Sequence, residues 1–183
     1  MGSVRRGIDS ILEPFRGSAA VGLQGDAGWD ARDLITADAN RWSGRGERTV
    51  YLATDVAVAL AEFARHLSPG HGTVEGSIWT MNVDLEVVVD LRDSRARRLL
   101  SVSGGPAWAL DPSACRTVAH DLRRRGVQAI LVPSVAFLDR LDRGNLILFA
   151  EHLPAGLDGV LSHPRRHALV AGGARVPSTS PSR

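Results

Sequence analysis

Residues 49–67 read TVYLATDVAVALAEFARHL, a strand running straight into a helix, and this unit decides the fold class. Thr49 to Ala53 carries β-branched and aromatic residues of the kind that fit a pleated, half-buried surface. Thr54 is positioned as the N-cap of a helix predicted to run to about Leu67. Val56, Leu60, Phe63 and Leu67 recur at helical spacing and are expected to face the core. Glu62 lies two residues beyond Leu60, about 200° around the helix, and so stands off that apolar stripe.

Downstream of this unit, two strands are expected at Val74 to Met81 and Val83 to Leu91, the second alternating Val83, Leu85, Val87, Val89, Leu91. A helix is punctuated by Asp111 as N-cap, Pro112 at the first helical position and Gly126 just past the end. Val127 to Val132 and Asn145 to Ala150 read as strands joined by a polar turn containing Asp142, Arg143 and Gly144. Upstream, residues 18–40 are rich in Gly, Ala and Asp with weak periodicity, and are expected to be irregular and ligand-facing. The succession of elements predicts a single α+β domain with helices packed around a mostly antiparallel sheet. The domain is expected to span residues 1–155, followed by an extension at 156–183 that is disordered from about residue 171, where the chain turns small, polar and Pro-bearing.

Composition narrows the chemistry. All 22 basic residues are Arg and none is Lys, which excludes Schiff-base catalysis and the lysine of the phosphate-binding loop. The isoelectric point near 9.4 is no sign of nucleic-acid binding, because the formal charge is only +2 and a phosphate backbone calls for clustered cations. One cysteine cannot form an internal disulfide, consistent with a reducing compartment. No apolar run reaches the roughly 18–20 residues of a membrane span, and no secretory signal is read at the start. The expected location is the cytoplasm.

Most isolated polar residues have ordinary structural explanations. His163 and His167 are spaced as helical ligands are, but Pro164 intervenes and no further ligand stands at a metal-site spacing, so no metal is expected. Glu62 and His66 read as a surface ion contact. Cys115 reads as a small buried residue. Arg97-Arg98, Arg123 to Arg125 and Arg165-Arg166 are expected to be solvated, the middle group favoured by a helix C-terminus.

One constellation stands apart. Arg41-Trp42-Ser43 opens a segment that continues through Arg48 into the strand bearing Tyr51, the only tyrosine, just ahead of the helix bearing Glu62. Much later, Val132-Pro133-Ser134 ends an apolar strand on a polar residue, and Pro133 holds Val132 extended and so directs Ser134.

On two blocks, RWSGRGERTVYLATDVAVALAEFARHL (residues 41–67) and GVQAILVPSVAFLDRLDRGNLILF (residues 126–149), the chain resembles the RES-domain family. The shared pattern is an Arg-aromatic-Ser start, a Tyr-Leu strand, an Ala-Leu-Ala-Glu helix, a strand ending in Pro-Ser and an Asn-Leu-x-Leu-Phe strand. The resemblance places Arg41, Tyr51, Glu62 and Ser134 at active-site positions, with Trp42, Ser43 and Arg48 beside them and Arg16, after Phe15, as the N-terminal substrate-binding arginine. It implies a fold similar to that of ADP-ribosyltransferases. It further implies a toxin of a toxin–antitoxin pair that breaks the nicotinamide–ribose bond of NAD+, by phosphorolysis or hydrolysis. NAD+ is then substrate rather than cofactor, inorganic phosphate is a candidate co-substrate, and the partner is an Xre-type helix-turn-helix antitoxin in a hetero-oligomer. Two alternatives remain open at this level: ADP-ribosyl transfer to a protein, and a non-catalytic arginine-rich binding module.

Overall fold

The strand read at Thr49–Ala53 and the helix after it are both present, as β3 (Thr49–Ala53) and α1 (Val56–His66) in a computed structural model that describes residues 8–24, 28–66 and 75–170. Among the described residues the other strands are β1 (Leu12–Gln24), β2 (Ile35–Thr36), β4 (Glu75–Asp90), β5 (Ala129–Pro133), β6 (Gly144–Phe149) and β7 (Leu161–Val170). Two more helices are α2 (Ser94–Leu99) and α3 (Pro112–Arg124). The expected disorder from residue 171 and the helix position Leu67 lie outside the described residues.

The strands form one sheet in the order β1-β3-β6-β5-β4-β7, and β1 also pairs with β4, so five strands close into a ring. Every pairing is antiparallel except β4 with β5. That exception follows from connectivity, since a parallel neighbour needs a long crossover, here the stretch carrying α2 and α3. The ring is unevenly sewn. β1 and β4 pair from Leu12 to Gln24, whereas β1 and β3 meet only at Ala20 opposite Ala53. The stretch beyond residue 155 contributes β7, which pairs along β4 from Glu75 to Val83.

Strands β5 and β6 are buried on both faces. Leu131, Leu146 and Leu148 enter one core with Val50, Leu52 and Leu85. Ile130, Val132, Ile147 and Phe149 enter a second, covered by Cys115, Ala119 and Leu122 of α3. α3 begins as read: the Asp111 side chain accepts from Ser113 N–H, Pro112 opens the helix, and Gly126 follows at φ +78°.

Four expectations are corrected. First, residues 18–24 are not irregular; they complete β1, and small side chains there make room for α1. A Cβ added to Gly22 would lie 2.9 Å from Phe63 Cδ2, and one on Gly76 would lie 2.7 Å from Phe63 Cζ. Second, the two strands predicted at 74–91 are one. Its alternation slips near Glu86 and Val87, where β4 bulges against β1 and both N–H groups donate to Gln128 Oε1 at 2.9 and 3.1 Å. Val83, Leu85 and Val88 thus share one core, while Val89 and Leu91 face the other.

Third, α1 is capped by Asp55, whose Oδ1 accepts from Val58 N–H at 3.0 Å, while Thr54 bonds to Gly144. The helix also turns a different face inward: Val58 and Ala59 are buried with Ala20, Ala53 and Ile78, while Val56 and Leu60 are 41% and 37% exposed. Fourth, Arg123 and Arg97 are buried. Arg97 Nη1 donates to the carbonyls of Leu91 and Arg92 at 2.9 and 2.6 Å, and Arg123 is enclosed as described below.

Candidate active site

A cleft of about 660 Å³ opens where β1 and β3 diverge, walled by Val21 and Gly22 on one strand and Tyr51 and Leu52 on the other. Its volume falls within the roughly 300–1,000 Å³ of small-molecule sites. Glu62 enters it because α1 rests on its Val58–Ala59 side, and residue 62 lies one turn beyond Val58 on that inward face.

Glu62 is held at close range. Its Oε1 accepts from Ser134 Oγ at 2.9 Å and from Asn145 Nδ2 at 3.3 Å, and its Oε2 pairs with Arg65 Nη1 at 3.3 Å. Ser134 follows directly on β5, where Pro133 extends the strand and delivers the hydroxyl to α1. The hydroxyl also accepts from Ala136 N–H at 3.2 Å, and Ser134 is fully buried. Ser134 therefore stands behind Glu62 and not on the cleft wall. Asn145 sits on β6 between Ala53 of β3 and Val132 of β5, and it does line the cleft.

The loop before β3 supplies the opposite wall. An Asn40–Ser43 bridge folds it, and Gly46 N–H donates to Ala37 O at 2.8 Å. Arg41 lines the cleft, with Nη1 donating to Ala109 O at 2.7 Å, and Trp42 packs edge-on against Trp108 with ring centroids 5.3 Å apart. The Tyr51 hydroxyl accepts from Trp42 N–H at 3.3 Å and lies 3.1 Å from Ser43 Oγ. Burial pushes the Tyr51 phenol above its ordinary pKa, against the opposing pull of those two contacts, so it stays protonated at neutral pH. Ser43 is buried behind Tyr51.

The fold thus brings Arg41, Trp42, Tyr51 and Glu62 to one cleft, with Ser134 and Ser43 as supports behind it. It leaves out Arg16 and Arg48. Arg16 projects from β1 with its side chain 74% exposed, 3.1 Å from Asp84 on β4, and Arg48 is exposed away from the cleft lining.

Two lining residues, Asn145 and Arg65, were not among the expected site residues. Asn145 had a signal: a strand-averse amide opening an apolar strand, beside the Pro-Ser turn in space. Arg65 had none beyond its position three residues after Glu62.

Other polar groups are placed elsewhere. Cys115 is buried with its thiol pushed up to about 11, chiefly by desolvation, and it donates to Ala109 O, which leaves it a poor nucleophile. His163 and His167 lie on β7, where four residues span roughly 13 Å, and His167 Nε2 bonds with Thr80 Oγ1 at 3.1 Å. Among the described residues no group of three or more His, Cys, Asp or Glu is arranged to hold a metal ion, and no helix is long and apolar enough to cross a membrane.

A family model described as RES domain matches residues 13–169. The fold is similar to that of the solved M. tuberculosis MbcT–MbcA toxin–antitoxin complex, with a TM-score of 0.68 at 19% identity over 93% of each chain. No curated protein matches the chain by sequence.

Proposed function

The chain belongs to the RES-domain family, and on that premise we propose that its cleft cleaves the bond between nicotinamide and ribose in NAD+. The observation that carries the reading is a single carboxylate, Glu62, fixed by two donors on a cleft that also holds Arg41.

The chemistry suits one carboxylate. Nicotinamide in NAD+ is cationic, so when its bond to the ribose carbon breaks, the electron pair moves to the ring nitrogen and the base leaves neutral. No acid is needed to protonate it, which is why the second carboxylate of ordinary glycosidases has no task here. Positive charge gathers on the sugar, and a fixed anion beside it stabilises that state. An oxygen of water or phosphate then bonds to the same carbon. With water the product is ADP-ribose and a proton is released; with phosphate it is ADP-ribose 1-phosphate. Arg41 and Arg65 are the cleft cations for the pyrophosphate or the entering phosphate, and Arg suits both because its planar fork matches phosphate oxygens. Tyr51, protonated, offers a ring face to the nicotinamide and a hydroxyl to the ribose. The same reading relates the fold to that of ADP-ribosyltransferases, whose reaction starts with this bond cleavage.

The reading includes a toxin role with an antitoxin partner, supported by the toxin–antitoxin complex in which the structural neighbour was solved, and takes that partner to be of the Xre helix-turn-helix type that the family resemblance implies. Purified protein incubated with NAD+ should release nicotinamide. Glu62→Ala should lower the rate about a hundred- to a thousandfold with little change in thermal unfolding. Phosphate added to the wild type separates the two acceptors by product, and label transferred from NAD+ to protein would point to ADP-ribosylation instead. Wild-type protein that leaves NAD+ intact, free of any inhibitor, would overturn the reading.

A further inference from the structure

Glu62 is not held symmetrically. Both neutral donors, the Ser134 hydroxyl and the Asn145 amide, converge on Oε1, while among the described residues Oε2 meets the side chain of Arg65, which is 49% exposed. The Asn145 amide comes from the centre of the sheet, on a strand flanked by β3 and β5, so it arrives on a rigid support. Its orientation follows from chemistry: an amide oxygen turned toward a carboxylate would repel it, whereas the Nδ2–H group donates.

We infer that Asn145 is a positioning residue that, together with Ser134, ties down Oε1 of Glu62 and so makes Oε2 the oxygen presented to the reacting sugar carbon. The inference rests on the proposed NAD+ cleavage and adds a division of labour within the carboxylate. Arg65 meets the working oxygen at 3.3 Å from a half-exposed position on the cleft. Asn145 acts through Glu62, so its loss weakens turnover more than substrate binding.

The decisive variant is Asn145→Asp, which keeps the shape but removes the donor and sets a like charge beside Oε1. Asn145→Ala removes the donor alone. The expected result for Asn145→Ala is a kcat about ten- to a hundredfold lower, the range of one hydrogen bond to a charged group, with KM for NAD+ changed less than about threefold. Asn145→Asp should fall further, with kcat compared per folded molecule because the added charge also lowers the unfolding temperature. Combined with Ser134→Ala, Asn145→Ala should lose more than the product of the single effects, because the two donors serve one atom.

A crystal structure of Asn145→Asp supplies a readout independent of turnover: Glu62 should swing its carboxylate away from residue 145. Kinetics for Asn145→Asp matching the wild type, or Glu62 unmoved in that structure, would overturn the inference. A wild type that never cleaves NAD+ overturns the functional reading instead, and the position of Glu62 in the variant still decides the role of Asn145.

Discussion

Two charged clusters flank β3, and they solve the same physical problem in opposite ways. At the Thr49 end, the buried guanidinium of Arg123 donates to Thr49 Oγ1 at 2.6 Å and to Glu151, lies 3.6 Å from Glu47 Oε2, and stacks over Phe149 at 4.0 Å. The two terminal nitrogens are satisfied from within the chain, and only Nε, 3.6 Å from Glu47 Oε2, lacks a hydrogen-bond partner among the described residues. At the Ala53 end, Glu62 has one oxygen satisfied by Ser134, just after β5, and by Asn145 on β6, and the other paired with Arg65 at a cleft of about 660 Å³. A buried charge whose partners come from within the chain, and which faces no cleft, is architecture. A half-buried charge with one oxygen facing a cleft, paired there with a half-exposed arginine, is a place for something else to bind.

The hardest way to test that contrast is to remove Arg123. Arg123→Ala would leave Glu47 and Glu151 without their shared cation. The charge-assisted hydrogen bonds lost are worth about 1.5–3 kcal/mol each, a cost to be read from urea unfolding. Nicotinamide release per folded molecule should fall far less than in Glu62→Ala. If Arg123→Ala kept full stability and lost turnover instead, the two clusters would not differ in the way described.

A smaller effect tests how the open cluster is placed. Gly76→Ala sets a methyl 2.7 Å from Phe63 Cζ and 3.0 Å from the Leu23 carbonyl, overpacking of a kind that costs about 1–3 kcal/mol. Since Phe63 seats the helix that carries Glu62, thermal unfolding and nicotinamide release should decline together. A drop in stability with unchanged turnover would separate the seat of α1 from the placement of Glu62.

The smallest effect sharpens the closed cluster by pH. Burial pushes the Glu47 carboxyl up, but the Gly44 N–H, His120 and Arg123 outweigh it, leaving the group below its ordinary value of 4.5. A carboxyl lowered by folding contributes stability that is complete above its unfolded value and is lost as pH falls through the folded one. Unfolding temperatures measured from pH 6 down to pH 3 should therefore fall less steeply in Glu47→Gln than in the wild type, the two curves converging at the acid end. Parallel curves would show that Glu47 contributes nothing to this dependence.

What was legible in the sequence, and what was not, follows physical lines. β3 and α3 carry local signals, β-branched residues in one and Asp111-Pro112 with Gly126 in the other, and both lie where those signals point. β1 carries none, because Pro14, Gly17 and Gly22 mask it; its strand character comes from pairing with β4. The helix α1 was legible but its inward face was not. Tertiary packing decided that face: Val58 and Ala59 lie against Ala20, Ala53 and Ile78, and Val56 and Leu60 stay partly exposed.

The site divides in the same way. Arg41, Tyr51, Glu62 and Ser134 could be named from motif order, and the fold gathers them at one cleft or directly behind it. Asn145 carried a local signal as an amide opening an apolar strand, but its partner Glu62, 83 positions away, emerged only in three dimensions. Arg16 shows the converse: a residue that motif order nominated points outward to Asp84, because β1 runs past the cleft with only its later residues on the wall.

The lone stitch between Ala20 and Ala53 carries a consequence of its own. Spreading β1 from β3 at the mouth of the cleft disturbs one bridge, whereas separating β1 from β4 would undo a ladder running from Leu12 to Gln24. The contacts that set the aperture are therefore not the contacts that hold the barrel shut elsewhere. A side-chain change at Val21, half-buried on the cleft wall, can retune which molecules enter while the backbone ladder with β4 stays intact.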